Sequence, residues 1–588
     1  MPKSSRSSRR WAIPAVSLSR AVLGSPEHRT PGGARAIHRA TATTPRLRDG
    51  GRWPAVLVAA GLLATLSVLI PFVLWRHSWF EWANYFWLVL QQQKAVRSGF
   101  FPTYFLQTPS TGYFYPVFAF NGAPASWLAA VAGTGLGSGW AGFVAMLALA
   151  SSASYLGTWW IARIGGLSRA WAVLPALVVS MSSYTVDDPY GRGDWAEMLV
   201  IGFVPLLAAG LISLVRNPVA PVWRMVCVVV SAVVVLGSDN AEVIALFVFG
   251  LVTAVCFLPM IRHTREFRRG MLVAGLAALI GGCLDAWYLA PSLAYGRSTM
   301  LYQSAPGFIS AGYSSNIDRF TVLLDPARSI ILRYNFHPQL PALALLWSLA
   351  AGVYWWRRPE LRRVGIALCV AIACGITLLS SDAIWVYLPS LIRAVQFPFR
   401  MIPFVVLATA GLVIVGLRAV DGRVFWRAGA VLACGAIAGL TLYQAWTATN
   451  IGWNGHAMTV SANATPYPFT FPGQQNGFHF LGSPTLADPK QRIAVRAAAD
   501  DSYGATAHPG PAVADVAWSP LIRARGGTIV GVDGSGFAVT RVTRPKVSFT
   551  SQVTPPVLAG LILTFGAVVE VPVALVACRR RPRPRKAA

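Results

Sequence analysis

Charge is scarce in this sequence. Of 588 residues only 12% are charged, and acids are rarer still, 22 Asp and Glu against 50 Lys and Arg. Ordinary soluble domains carry about 25% charge, so the composition excludes a soluble globular enzyme, a coiled coil and a disordered chain. A hydrophobic content of 55% and a mean hydropathy of +0.52 point instead to a membrane protein with many spans. Cysteine is equally sparse: Cys227, Cys256, Cys283, Cys369, Cys374, Cys434 and Cys578 all lie in or beside apolar segments, which excludes a disulfide framework. The eight histidines have no zinc-like spacing. No long internal repeat is present, which argues against an inverted-repeat transporter.

The net charge of +28 would suggest a nucleic-acid partner in a soluble chain. Its placement argues against one. Residues 1–52 hold 11 basic and 2 acidic residues, and the tail from Arg579 to Lys586 holds 6 basic ones. Residues 1–52, rich in Arg, Ser, Pro and Gly, read as a disordered cytoplasmic arm with access to anionic headgroups, not as a secretory signal.

A helical span needs about 20 apolar residues. Candidate spans are 54–75, 139–162, 170–184, 196–215, 222–237, 240–260, 270–292, 338–356, 364–380, 401–418, 427–446 and 553–577. The expected fold is therefore an all-α polytopic membrane protein of about 12 transmembrane helices, with membrane lipids as partners. Basic clusters at Arg163/Arg169, Arg216/Arg224, Arg262–Arg269, Arg357–Arg363, Arg418–Arg427 and the 578–588 tail go to the cytoplasm by the positive-inside rule. Both termini are then cytoplasmic, and 76–138, 185–195, 238–239, 293–337, 381–400 and 447–552 are external loops. Residues 116–134 read as a juxtamembrane or re-entrant element of the first external loop. The Gly-, Pro- and Thr-rich region 447–552, with alternating runs such as Gly527–Val532 and Gly536–Val542, reads as a small extracytoplasmic β-containing domain between the 53–446 transmembrane domain and the last helix.

The informative polar residues lie in the external loops, because ionisable groups at membrane depth are costly and face a cavity or a partner. The densest group is Asp187, Asp188, Tyr190, Arg192, Asp194 and Glu197, with Gly191 and Gly193 allowing tight backbone turns. This pattern suits a carboxylate and arginine site for a phosphate- or sugar-bearing ligand, and equally a capped polar turn. The first loop carries Glu81, Asn84, Tyr113 and Tyr115 among many aromatics, which either stack on sugars or form an interfacial belt. Gln396 and Arg400 stand before a span, where Arg400 could hold a phosphate oxyanion or snorkel. Asp239 and Asn240 form a tight turn with Glu242 just inside the next span, and Asp285 lies within a span. The loop 293–337 is long enough to be a lid.

The order Gly112-Tyr-Phe-Tyr-Pro116, Tyr190-Gly-Arg-Gly-Asp-Trp-Ala-Glu197, Gly237-Ser-Asp-Asn240 and Gln396-Phe-Pro-Phe-Arg400 resembles bacterial polytopic membrane proteins labelled as related to 6-pyruvoyl-tetrahydropterin synthase. Over roughly 54–446 these are similar in architecture to the GT-C glycosyltransferases. The resemblance implies a GT-C-like fold, a large first external loop, and transfer of a sugar from a polyprenyl-phosphate donor to an envelope acceptor that is a glycan, lipid or protein. It also implies an acid in that loop, an Asp before an aromatic pair, as the base. The matching position here is Asn84 before Tyr85-Phe86, with Glu81 one helical turn earlier.

The enzyme reading accordingly assigns catalysis to Glu81, Asp187, Asp188 and Asp194. Substrate binding falls to Asn84, Tyr113, Tyr115, Tyr190, Arg192, Glu197, Asp239, Asn240, Gln396 and Arg400. Arg192 and Arg400 would steady the departing phosphate. A divalent cation, Mg or Mn, could bridge Asp187 and Asp188 but is not required. The alternatives are a non-catalytic scaffold for envelope assembly and a flippase for a lipid-linked sugar. The expected location is a bacterial inner membrane.

Overall fold

The structure, a computed structural model, describes residues 52–75, 80–107, 114, 116–218, 221–260, 264–296, 317, 320–325, 339–393, 395, 397–448, 491–497, 502–533 and 537–579. Residues 1–51, 449–490, 580–588 and most of 293–337, the proposed lid, lie outside the described residues.

The chain begins with α1 (Trp53–Ser67), α2 (Phe80–Arg97), α3 (Ala123–Gly135), α4 (Gly139–Ile164) and α5 (Val173–Ser180). It continues through α6 (Trp195–Arg216), α7 (Val222–Leu236), α8 (Asn240–Phe257), α9 (Arg265–Leu284) and α10 (Ala286–Tyr295). Then come α11 (Ala342–Ala350), α12 (Pro359–Ser380), α13 (Ile402–Ala419), α14 (Val424–Ala448) and, after the strands, α15 (Pro555–Arg579).

Among the described residues, six helices are long and apolar enough to cross a membrane: Gly139–Ile164, Trp195–Arg216, Arg265–Leu284, Pro359–Ser380, Pro398–Ala419 and Val424–Thr447. Five shorter apolar helices accompany them: Trp53–Ser67, Val222–Leu236, Ala241–Phe257, Ala342–Trp355 and Pro555–Glu570. The expected count of about 12 is not reached on this criterion. The apolar stretch 170–184 forms only the eight-residue α5, a rise of about 12 Å. The stretch 270–292 breaks at Asp285, where α9 stops and α10 starts. Outward stripes such as Phe247, Leu251 and Val255 on α8, or Leu272, Leu276 and Leu279 on α9, remain exposed and are spaced to face lipid.

Small residues let the central helices touch. A Cβ on Gly157 of α4 would come within 2.3 Å of Leu206 N on α6, and one on Gly202 of α6 within 2.5 Å of Ala150 O on α4. A Cβ on Gly142 would fall 2.1 Å from Ala129 O, so α3 packs on α4 by the same device. Such close approach is how helices associate where lipid removes the hydrophobic drive between them. The apolar segment 116–134 thus holds a 3-10 turn, Val117–Ala119, and the helix α3, which is wedged against α2 and α4 with Ala123, Ala125, Ala129 and Gly133 buried.

The two ends of the bundle differ in chemistry. α6, α8 and α13 begin at one end, beside Asp194, Asp239 and Arg400. α4, α6 and α13 finish at the other with Arg163, Arg216 and Arg418 in their last turns. Loops assigned to one side by charge alone therefore meet in space.

The strands are β1 (Arg492–Ile493), β2 (Arg496–Ala497), β3 (Ser502–Thr506), β4 (Gly510–Ala517), β5 (Ile522–Arg525), β6 (Gly527–Val532), β7 (Phe537–Val542) and β8 (Lys546–Ser551). They form two sheets of order β1-β4-β7-β6 and β2-β3-β8-β5, antiparallel except for β1 on β4. The strands share a hydrophobic cluster with the loop after α2. Phe114 stacks on Tyr503 at 3.8 Å, pairs its backbone with β4 beside Val516, and joins Phe105, Phe118, Trp287 and Phe549 in one core. The Tyr503 hydroxyl donates to Leu106 O at 2.7 Å.

Replacing Gly157 or Gly202 by Ala should force α4 and α6 apart and cost about 1–3 kcal/mol, read as a lower thermal midpoint in detergent. Gly435→Ala on α14, where a Cβ meets nothing within 4 Å, should be silent in the same measurement. Phe114→Ala should cost about 3–5 kcal/mol and raise the proteolysis rate within 491–551 before it affects the helices.

Candidate active site

Two helices start with the same four-residue device. Asp194-Trp-Ala-Glu197 opens α6 and Asp239-Asn-Ala-Glu242 opens α8. In each the Asp is the N-cap. Asp194 Oδ1 accepts from Glu197 N at 3.0 Å, and Asp239 Oδ1 accepts from Ala241 N at 2.7 Å and Glu242 N at 3.1 Å. The first amides of a helix lack partners and the dipole favours a negative charge there, so Asp is well placed in both. In a capping box the glutamate turns back on its own cap. Here both glutamates approach a third element, the 3-10 turn Pro398–Met401 that leads into α13 and carries Arg400.

Arg400 is buried among four carboxylates. Its Nε donates to Glu197 Oε2 at 3.1 Å and lies 3.9 Å from Glu242 Oε2. Its Nη2 lies 3.6 Å from Asp239 Oδ2 and 3.8 Å from Asp194 Oδ2. Nη1 donates to Val395 O at 3.1 Å, and the guanidinium sits 5.2 Å from the Phe397 ring centre. The Tyr184 hydroxyl donates to Glu197 Oε1. A planar guanidinium with five donors can serve several oxygens at once, which a lysine cannot. Four buried carboxylates still outnumber one guanidinium, so protons or a further cation must balance the remainder. Access is graded: the Asp239 side chain is 11% exposed and that of Asp194 2%.

Asp194, Glu197 and Asp239 each offer one oxygen, and these oxygens lie within 4.8 Å of one another. Such hard ligands suit Mg or Mn. Arg400 already lies against the same three side chains, so an ion would share them with it.

The other residues singled out in the sequence distribute as follows. Asp188 is buried in the π-helical turn Asp188–Arg192, close enough for its charge to act on Glu242. Tyr190 is buried too, and its hydroxyl bridges the end of the first helical segment, donating to Val68 O at 2.5 Å and accepting from Phe72 N at 3.0 Å. Asp187 precedes the same turn and Arg192 ends it, Glu81 lies on α2 and Asn240 begins α8; the side chains of these four are outside the described set, as are Tyr113, Tyr115 and Gln396 altogether. Asn84 is buried on α2, and its Oδ1 has no hydrogen-bond partner. The neighbouring Tyr85 meets Trp195 at 6.4 Å, so α2 borders the cluster. The first-loop aromatics Trp82, Phe86 and Trp87 are spent on the core, Trp82 and Phe86 packing on Trp140 and Phe143.

The sequence points to Glu242 only as a neighbour of the Asp239 turn, without a role in the site, and not at all to Tyr184. The repeated Asp-x-Ala-Glu at two helix starts was the available signal for Glu242. Nothing in the sequence marks Tyr184.

Arg400→Met should leave four buried acids without their cation and cost about 3–5 kcal/mol. Tryptophan fluorescence during thermal unfolding would register it, and adding Glu197→Gln and Glu242→Gln to that variant should restore part of the loss.

No protein-family model matches the chain and no curated protein does, so the family suggested by the motif order remains a resemblance. Among solved structures, the arabinofuranosyltransferase AftD from mycobacteria aligns with a TM-score of 0.41 at 17% identity, over 69% of this chain and 27% of that one. A mutant form of the same enzyme aligns with a TM-score of 0.38 at 16% identity, over 69% and 28%. The chain thus spans about a quarter of the length of those proteins.

Proposed function

We propose that this chain is an integral-membrane glycosyltransferase of the GT-C type, moving a sugar from a polyprenyl-phosphate donor to an envelope acceptor. The observation that supports it is the buried arrangement of Asp194, Glu197, Asp239 and Glu242 around Arg400 at the starts of α6, α8 and α13. On this reading the acid end of the bundle is the external face of a bacterial inner membrane and the arginine end is cytoplasmic, with both termini on the cytoplasmic side.

The chemistry would run as an inverting displacement. A carboxylate takes the proton of the acceptor hydroxyl. The acceptor oxygen bonds to the anomeric carbon as the bond to the phosphate oxygen breaks, and the electron pair leaves with polyprenyl phosphate. Asp239 is the best-placed base of the four, being the most accessible and held in orientation by two helix amides. Glu81, Asp187, Asp188 and Asp194 stay candidates from the sequence. Arg400, enclosed by acids, holds them in orientation. The departing phosphate falls to Arg192 in the adjoining turn.

Asn84 favours a second reading. It is a neutral amide where the resembled family has its base, as a non-catalytic scaffold would have.

The test is sugar transfer by the full chain in lipid, from radiolabelled polyprenyl-phosphate sugars to a membrane extract. Asp239→Asn and Glu81→Gln are the paired variants, and Arg523→Gln in β5 is the control. Loss of about 10²–10⁴-fold in either acid variant, at normal expression and midpoint, supports the enzyme. Wild-type behaviour of both variants, together with loss of biological function on deleting 447–552, would favour the scaffold.

A further inference from the structure

At the arginine end three guanidinium groups converge on one turn. α4 stops at Ile164, and the chain turns through Gly166, whose φ is +96°. Arg163 Nη1 donates to Leu167 O at 2.6 Å, and Arg216 Nη1 from the end of α6 donates to Ile164 O at 2.7 Å. Arg418, from the last turn of α13, lies over Gly166, its guanidinium carbon 3.6 Å from where a Cβ would stand. Arg216 and Arg418 are near enough for their charges to repel. Arg358 Nη1 in turn donates to Arg418 O at 3.0 Å.

Helix ends alone do not balance this charge. Each of the three C-termini contributes about half a negative charge, against a full positive charge on each arginine. Arg216 and Arg418 have no carboxylate partner among the described residues. The nearby acid Asp421 is taken by Arg427, and Glu266 and Glu360, in the first turns of α9 and α12, pair with neither arginine. Both residues are exposed. The depth of the turn is marked by tryptophans: Trp223, half exposed at the start of α7, packs on Trp160 of α4 with ring centres 4.9 Å apart. Trp159 Nε1 donates to Arg169 O at 3.1 Å. Such aromatics lie at headgroup level.

We propose that Arg216 and Arg418, with Arg163 beside them, form a binding site for the phosphate of an anionic phospholipid at this membrane surface. Arg216 and Arg418, like-charged at headgroup depth with no carboxylate partner among the described residues, are suited to a phosphodiester, which each can meet with paired N–H donors. The aromatic collar favours a lipid over a soluble anion. The site is remote from Arg400 and stands independently of the proposed catalysis.

The full-length protein, purified in detergent, would be offered phosphatidylglycerol, phosphatidylcholine or inorganic phosphate, with retention measured by native mass spectrometry. Wild type should retain phosphatidylglycerol at least tenfold over phosphatidylcholine, and millimolar phosphate should not displace it. Arg216→Gln/Arg418→Gln should fall to the phosphatidylcholine level, and Arg216→Lys/Arg418→Lys should keep most of the preference. Equal retention of the two lipids by wild type, or an unchanged preference in the folded Gln variant, would overturn the proposal. Displacement by phosphate alone would mean a free-anion site instead of a lipid site. If the Gln variant does not fold, the wild-type ratio and the Lys variant decide by the same criteria.

Discussion

One guanidinium holds three helix starts together. Arg400 precedes α13, Asp194 and Glu197 open α6, and Asp239 and Glu242 open α8. Burying one of these charges alone would cost several kcal/mol. Buried together they pin three elements at one end of the bundle, with the Tyr184 hydroxyl donating to Glu197 and Arg400 donating to Val395 O. The helix caps and the ion cluster use opposite oxygens of the same aspartates, so each aspartate serves both at once.

Everything inward of the cluster depends on close approach. Gly142, Gly157 and Gly202 let α3, α4 and α6 touch through backbone, and without that contact Trp195 could not stack on Phe143 at 5.0 Å. Trp82 and Phe86 of the first loop are committed to this packing, and Trp87, Phe105, Phe114 and Phe118 to the core shared with the β-strands. The strands are therefore not an appendage: Phe114 and Tyr503 lock them to the loop that follows α2, next to the helix bordering Arg400. The opposite end is built on the reverse principle. Its arginines terminate helices, and two of them, Arg216 and Arg418, are exposed and lie close to each other.

Much of this was legible in the sequence because it depends on composition and local pattern. Few charges and many apolar runs dictate a helical membrane protein, and the segregation of basic clusters predicted which loops lie on one side. Gly527–Val532 alternates and forms a strand as expected. The short helix α5 and the break at Asp285 were not legible, because hydropathy measures apolar length and does not report where a backbone ladder stops.

The candidate residues divide in the same way. Asp194, Glu197, Asp239 and Arg400 stand out in one dimension as charges at the mouths of apolar runs, since desolvation makes any such charge conspicuous. That Arg400 answers two acids 203 and 161 positions upstream, Glu197 and Asp239, along with Asp194 and Glu242, is a property of the tertiary structure alone. So is the use of the Tyr190 hydroxyl for the first helix's backbone, and the meeting of Arg216 with Arg418 over Gly166. Local physics determined which residues could afford charge and where helices could start. Only the packing of distant helices decided which charges would balance each other and which would be left facing the membrane surface.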